Sequence, residues 1–498
     1  MIKVEACAGS GKTSTLDMMA VSEQAASLYL GFNKVTATEA SEKFPRHVTC
    51  KTTHSVAYAV FGTVLREKLS RPKGRYVNVG GTGSEIGKLY KLLPVELSET
   101  VMLSGAYLGL MARTAVALFE QSADAELTKR HLPRGELFKI AEKSQAKMDY
   151  TESIILSTAQ KLWRDRTDVN SPVLATHDTY LKMYQLSKPV LAGYKILYVD
   201  EFQDTTPCVL DIVLNQQKHM KIVMVGDARQ AIYGWRGAVN AMQMVQCESR
   251  KLTKSFRYGQ EIADIATKVL EGAMKIEGNA SIKSVSGFTC VDRTQPYTRL
   301  FRTNSALLTE AVSEIKAGTA VSIEVDVKDF VKLMQSAVAL EQGIKKDVKH
   351  DKLLPFVDWS DMVVEAKNDP ELGRIVKVVK DGKVGEWIAV LSSHVNSDCP
   401  LVTFTTAHKS KGREFAQVVI EGDFKSCYNE DGEWVGLSED EQNLLYVAVT
   451  RAILRLEYNQ TVSEYLDRAS MFISSIGFKL PWDNTEVLRR DMREAMET

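Results

Sequence analysis

Ile2-Lys3-Val4-Glu5-Ala6-Cys7-Ala8-Gly9-Ser10-Gly11-Lys12-Thr13 opens the chain, and Ser14 leads into a helical stretch with Leu16, Met19 and Ala20 on one side. An apolar strand, a glycine-bearing turn and a helix in this order make the context that a phosphate cradle needs. Gly9 and Gly11 let the backbone turn its N–H groups from Ala8 to Ser14 onto an anion, and the helix start adds positive potential. Lys12 can reach the outer phosphate oxygens of a nucleotide, and Thr13 can hold Mg²⁺. Ala6 stands where the general pattern has its first glycine, so the turn alone also admits a ligand-free reading.

Farther along, the apolar run Ile196-Leu197-Tyr198-Val199 is followed by Asp200-Glu201-Phe202-Gln203-Asp204. A carboxylate at the end of a buried strand costs free energy unless a cation or donor satisfies it, and Mg²⁺ on phosphates would do so for Asp200. Glu201 is then placed to orient or deprotonate an attacking water. An isolated Asp-Glu pair is more often ordinary solvated-loop chemistry, so its surroundings must decide. Strands read at Ile2 to Ala6, Ala26 to Phe32, Val48 to Lys51, Ile196 to Val199 and Ile222 to Val225 alternate with helical patterns. That alternation predicts an α/β fold with a mainly parallel sheet and helices on both faces. An interruption at about 62 to 175 has helical periodicity, as in Leu108, Met111, Ala112, Ala115, Leu118 and Phe119. Its basic, glycine-rich part from Arg71 to Gly83 reads as a loop, either solvated or meeting nucleic acid.

Four further segments supply the surroundings. They run from Val225-Gly226-Asp227 through Gln230, Tyr233, Trp235 and Arg236 to Ala238, from Leu252 to Ser255-Phe256-Arg257, from Thr405 through His408, Lys411, Gly412 and Glu414 to Phe415, and from Tyr446 to Thr450-Arg451-Ala452. In this order the set resembles superfamily 1 helicases of the UvrD, Rep and PcrA type over nearly the whole chain. Phe32-Asn33-Lys34, Thr176 to Lys182, Leu186 to Pro189 and Ser255-Phe256-Arg257 look most like the helicase part of the F-box DNA helicase 1 family, without an F-box.

The resemblance implies two RecA-like parallel-sheet lobes, each interrupted by a mainly helical insertion. The expected division is a first lobe of 1–61 and 176–247 around insertion 62–175, and a second of 248–324 and 399–498 around a reduced insertion, 325–398. It implies ATP and Mg²⁺ at Lys12, Thr13, Asp200 and Glu201, with Gln230 sensing the outer phosphate and Arg257 and Arg451 approaching from the other lobe. Phe256 would stack on the base, with Gly412 and Glu414 near the ribose. DNA contacts would fall to Phe32, Asn33, Lys34, Thr52, His54, Tyr233, Trp235, Arg236 and His408. A ring such as Trp235 can stack on an unpaired base, or pack in a core. Asn33, Thr52 and the histidines have ordinary capping and packing alternatives. Implied partners are single-stranded DNA, junctions with duplex and recombinase or replication proteins; implied activities are 3′-to-5′ translocation with strand separation, or protein removal from DNA. A P-loop kinase or nucleotide-regulated scaffold would use the loop but neither the arginines nor Trp235.

Composition fits these expectations. A chain of 498 residues with 44% apolar residues exceeds a single core and suggests several domains. With 63 basic and 63 acidic residues the net charge is zero, so any DNA track is a local stripe. Seven scattered cysteines without a Cys-x-x-Cys pair indicate neither a disulfide framework nor a metal cluster. With no long apolar stretch or signal peptide, a soluble, intracellular monomer that touches no membrane is expected, in cytoplasm or nucleoid rather than nucleus. The chain starts at Met1 without room for the adenine-reading glutamine of relatives, so weak preference for ATP over GTP is expected. Asp483 and Glu486 read as a capping box for a last helix.

Overall fold

The computed structural model describes residues 1–69, 81–98, 101–133, 145–234, 237–356, 358–366 and 369–475. The basic segment after Leu69 and the helix expected from Asp483 therefore lie largely or wholly outside the described residues. In chain order the strands are β1 (Ile2–Ala6), β2 (Ser27–Gly31), β3 (Val48–Thr52), β4 (Val95–Ser98), β5 (Val101–Leu103), β6 (Ile196–Val199), β7 (Lys221–Gly226), β8 (Glu248–Leu252), β9 (Val285–Gly287), β10 (Tyr297–Phe301), β11 (Val321–Ile323), β12 (Val402–Thr406), β13 (Phe415–Ile420) and β14 (Ala452–Glu457). One sheet has the order β3-β2-β6-β7-β1-β8, a second β11-β12-β10-β13-β14-β9, and all their pairings are parallel. All strands of a parallel sheet end on one edge, which is where such folds place their ligands.

Two-sided burial explains the first sheet's sequence. Leu28, Leu30, Leu197 and Val199 pack with helices His177–Leu186 and Pro207–Leu214, whereas Tyr29, Ile196, Tyr198 and Val4 pack with helices Lys12–Ser22 and Lys34–Lys43. Central strands read as continuous apolar runs for this reason. β8 does not: Glu248, Ser249, Arg250 and Lys251 are exposed, and the strand is held by its ladder with β1. Charged edges of this kind deter pairing with another chain. Although the second lobe is expected from 248, β8 pairs with β1 as an edge strand of the first sheet.

The first interruption builds its own core from helices Gly83–Leu89, Gly105–Gln121 and Gln145–Thr167 and the β4–β5 hairpin. Its first two helices meet backbone to backbone: a Cβ on Gly87 would lie 2.4 Å from the Gly105 carbonyl oxygen, and one on Gly109 2.3 Å from that of Gly83. Helices Val327–Glu341, Pro370–Lys380 and Val384–Ser393 share one core with helix Asn304–Lys316 and with Val321, Val402 and Phe404 of the second sheet. On that sheet's other side, helices Gln260–Val269, Glu439–Val449 and Gln460–Ser475 form a core that also takes in Cys7 and Ala8 of the first lobe. The two sheets are thus joined through the turn that follows β1. Among the described residues no helix is long and apolar enough to cross a membrane.

Candidate functional site at the meeting of the two sheets

The turn after β1 is shaped by two left-handed glycines, Gly9 at φ 74° and Gly11 at φ 77°. Gly9 is required twice, since a Cβ there would also stand 2.6 Å from both the Arg257 Cβ and the Ser255 Oγ. Ser10 donates through its hydroxyl to the Cys7 carbonyl at 2.8 Å, closing the turn before helix Lys12–Ser22 starts. Burial and then the nearby Asp227 push the Cys7 thiol up to about 12, so it stays neutral.

The ends of β2, β6 and β7 bring polar groups to this turn. Thr13 and Tyr29 each donate to Asp200 Oδ2 at 2.7 Å, and the Glu201 N–H donates to Asp200 Oδ1 at 2.9 Å. Glu201 is itself left-handed at φ 49°, a conformation that costs a non-glycine residue free energy and recurs where a side chain must be aimed. It faces Lys12 Nζ at 3.3 Å and accepts from Gln203 Nε2 at 2.6 Å. Burial alone would raise the Glu201 carboxyl, but Lys12 and Lys411 hold it at about 2. Burial and then Glu201 raise its neighbour Asp200. Burial likewise opposes the charge on Lys12, yet Glu201, Asp227 and Asp200 together raise its pKa, so the ammonium persists. Gln203 accepts from the Asp227 N–H at 3.0 Å and so links the ends of β6 and β7. Burial pushes both Asp204 and Asp227 up to about 6.

Second-lobe groups close over the same turn. The Phe256 N–H donates to the Gly9 carbonyl at 2.8 Å, leaving its ring 59% exposed beside the turn. Arg257 donates to Glu414 at 2.7 Å and to the Thr450 carbonyl at 3.1 Å. Arg451 is fully buried behind it, donating to the Val447 and Arg413 carbonyls at 2.9 Å and to Thr450 Oγ1 at 3.1 Å. Burial, then repulsion from Arg257, lowers its pKa to about 9. Gln230 is buried on the turn Ala228–Gln230 after β7, and its carbonyl accepts from Lys411, which also pairs with Asp204 across the lobes. Gly412 (φ 82°) and Glu414 flank that lysine's loop and are exposed. Ser14 is exposed in the first helical turn.

A surface track runs along the same edges. Gly31 and Thr52 are register partners at the ends of β2 and β3, so Phe32-Asn33-Lys34 and His54 emerge side by side. The rings of Phe32 and Tyr233 stack with centroids 6.0 Å apart, and Tyr233 donates to the His408 carbonyl at 3.4 Å, joining both lobes. Lys34 is exposed. Asn33 and Thr52 also serve as N-caps, accepting from Thr36 and Ser55 N–H groups at 2.9 and 3.1 Å. Caps of this type are worth about 1 kcal/mol, so both residues have a structural duty. His54 pairs with Asp178 at 3.0 Å. Trp235 and Arg236 lie outside the described residues.

Residues not singled out from sequence complete the site: Tyr29, Gln203, Asp227, Tyr258, Lys411 and Tyr446. Tyr446 OH accepts from the Ala8 N–H at 3.0 Å and donates to Asp227 Oδ2 at 3.1 Å, while Tyr258 OH donates to the Ala8 carbonyl at 3.2 Å. Gln203, Asp227, Lys411 and Tyr446 fall within the quoted segments, so position was available but partnership was not.

A phosphate-type turn and carboxylates on one parallel sheet, with arginines from a second sheet beside them, define a two-lobed P-loop protein. The family model of the UvrD/REP helicase N-terminal domain matches residues 1–250, and that of the UvrD-like helicase C-terminal domain matches residues 141–460. The chain belongs to the UvrD-like helicase family. It is similar to F-box DNA helicase 1 of Gallus gallus, 31% identical over 94% of this chain and 48% of that protein. F-box DNA helicase protein 1 of Schizosaccharomyces pombe is 28% identical over 93% of this chain and 56% of its own length. ATP-dependent DNA helicase PcrA of Leuconostoc citreum is 36% identical over 18% of this chain and 14% of its own. The chain thus spans about half the length of the two F-box helicases it matches.

Proposed function

We propose that this chain is an ATP-driven DNA helicase that travels 3′ to 5′ along single-stranded DNA and separates duplexes ahead of it. One observation carries the reading: the turn after β1 is buried in the core of the second lobe, so a nucleotide there touches both lobes at once. The donor set fits ATP with Mg²⁺, because Thr13 and Asp200 converge on one point while left-handed Gly9 and Gly11 open the loop. Thr13 and Asp200 would hold the ion, which when bound neutralises phosphate charge. Lys12 binds the outer phosphates, Glu201 stays ionised and accepts a proton from water, and Arg257 approaches from the second lobe. Loss of the outer phosphate removes the charge that draws Arg257 and Lys12 together, which lets the lobes part. Phe32, Tyr233 and His408 lie across the same lobe boundary, so a strand resting on them would be moved by that opening.

Strand displacement from 3′-tailed and 5′-tailed duplexes tests this. The wild type is expected to release only the strand ahead of a 3′ tail, with ATPase stimulated by single-stranded DNA; ATPase indifferent to DNA would remove the proposal. A second reading, removal of recombinase filaments from DNA with little strand separation, draws on the similarity to the F-box helicases. Faster release of a bound protein than of an annealed strand would favour it.

Acid should weaken turnover with an apparent pKa near 6. Protonating Asp204, which burial raises to about 6, discharges its pair with Lys411 across the lobes, whereas Glu201 at about 2 is still ionised. Stability moves the other way. Asp204 and Asp227 bind protons more tightly folded, at about 6, than unfolded, at about 3.9, so their contribution to stability falls as pH rises through that window. A pH–rate profile with thermal midpoints checks both signs, and an acid limb below about 4 would contradict the assignment.

A further inference from the structure

The hydroxyls of Tyr446 and Tyr258 meet on the backbone of one residue, Ala8, each on one of its two flanking peptide groups. Ala8 is fully buried, its N–H held by Tyr446 at 3.0 Å and its carbonyl by Tyr258 at 3.2 Å. From Tyr446 a hydrogen-bonded ring continues through the Asp227 carboxylate at 3.1 Å, the Asp227 N–H to Gln203 at 3.0 Å, Gln203 to Glu201 at 2.6 Å, and Glu201 to Lys12 at 3.3 Å, returning along the turn to Ala8. Tyr446, Tyr258, Asp227 and Gln203 are each fully buried. Of the ring's members, Tyr446 alone comes from the second lobe, on helix Glu439–Val449. We infer that Tyr446 is a positioning residue: its hydroxyl sets the phosphate turn and the Gln203–Glu201 array only when the lobes are closed, with Tyr258 steadying the Ala8 carbonyl in the following peptide. The inference rests on the proposed ATP hydrolysis and names the part of the second lobe that switches it on. A ring carbon cannot replace the hydroxyl, because the Ala8 N–H and Asp227 Oδ2 would both lose a partner at a place that is fully buried.

The full-length Tyr446→Phe protein tests this. Amide hydrogen exchange at Ala8 should become about tenfold faster, while peptides from β6 and from helix Gly105–Gln121 keep wild-type rates. In parallel, kcat for ATP should fall about tenfold with KM changed less than about threefold, the signature of lost positioning rather than lost binding. Wild-type exchange at Ala8, or wild-type kcat, overturns the inference. Should the wild type prove not to hydrolyse ATP, the functional proposal fails and Ala8 exchange alone decides the tether. If Tyr446→Phe does not fold, Tyr258→Phe takes its place. That variant releases the Ala8 carbonyl, in the peptide that leads to Gly9, and by loosening the residue should speed exchange at the Ala8 amide as well; unchanged exchange there overturns the inference equally.

Discussion

Lys12→Ala is expected to lower the DNA-stimulated ATPase by at least about 10² to 10³-fold and to abolish strand displacement, on the scale of removing one preorganised group from a developing charge. Position makes Lys12 the keystone: its ammonium stands 3.3 Å from Glu201 and is held charged by Glu201, Asp227 and Asp200 against the pull of burial. With alanine there, these carboxylates face each other and the incoming phosphates without their central cation, leaving Lys411 from the second lobe. ATP binding should therefore weaken together with turnover, rather than kcat alone. The Glu201 carboxyl, kept low chiefly by Lys12 once burial is overcome, should titrate higher. Breaking a largely buried pair also threatens the fold, so a thermal midpoint must accompany the assay. Lys12→Arg retains the charge with a wider head, and should keep the midpoint without restoring turnover. Lys12→Ala turnover within about tenfold of wild type would show that the turn after β1 is not where ATP is cleaved.

How much of this was legible in the sequence depended on whether a feature is contiguous. The run from Ala6 to Thr13 and the pair Asp200-Glu201 announce themselves, since each carries its chemistry within a few residues and follows an apolar strand. Central strands β2, β6 and β7 read almost to the residue because burial on both faces leaves little choice but apolar side chains. β8 was hidden, its exposed Glu248-Ser249-Arg250-Lys251 carrying no apolar period and its place fixed by backbone bonds to β1. Tertiary partnership was hidden in the same way. Tyr29 looks like any core tyrosine until its hydroxyl is found on Asp200, and Tyr446 like a helix-packing ring until it reaches Ala8, 438 residues away. Asn33 and Thr52 show the reverse: residue types that suit a nucleic-acid backbone are here also bound to their own helix starts. Glu414, expected near a ribose, pairs with Arg257, which no local pattern encodes.

That last pair shapes the second large effect. Arg257→Ala is expected to reduce kcat by about 10³-fold, the lower end for arginines that enter a phosphoryl-transfer site from a neighbouring lobe. Arg257 is better placed for this than Arg451. Its backbone lies against Gly9, so close that a Cβ on the glycine would meet the Arg257 Cβ at 2.6 Å, whereas Arg451 spends its donors on the Val447 and Arg413 carbonyls and on Thr450. Glu414 takes the Arg257 Nε at 2.7 Å from an exposed position, a solvent-screened pair that a polyphosphate can outbid. Arg257→Ala should thus leave KM for ATP within a few-fold and remove turnover, while Arg451→Ala, which strips a buried cation from three lobe-two acceptors, should show its effect first in the thermal midpoint. Arg257→Lys, lacking the planar fork, should fold normally and stay slow. Single-turnover ATPase beside unfolding curves separates these cases: if Arg257→Ala turns over within tenfold of wild type, Arg257 contributes no charge to cleavage, and closure of the second lobe would have to act through Lys411 and the buried tyrosines.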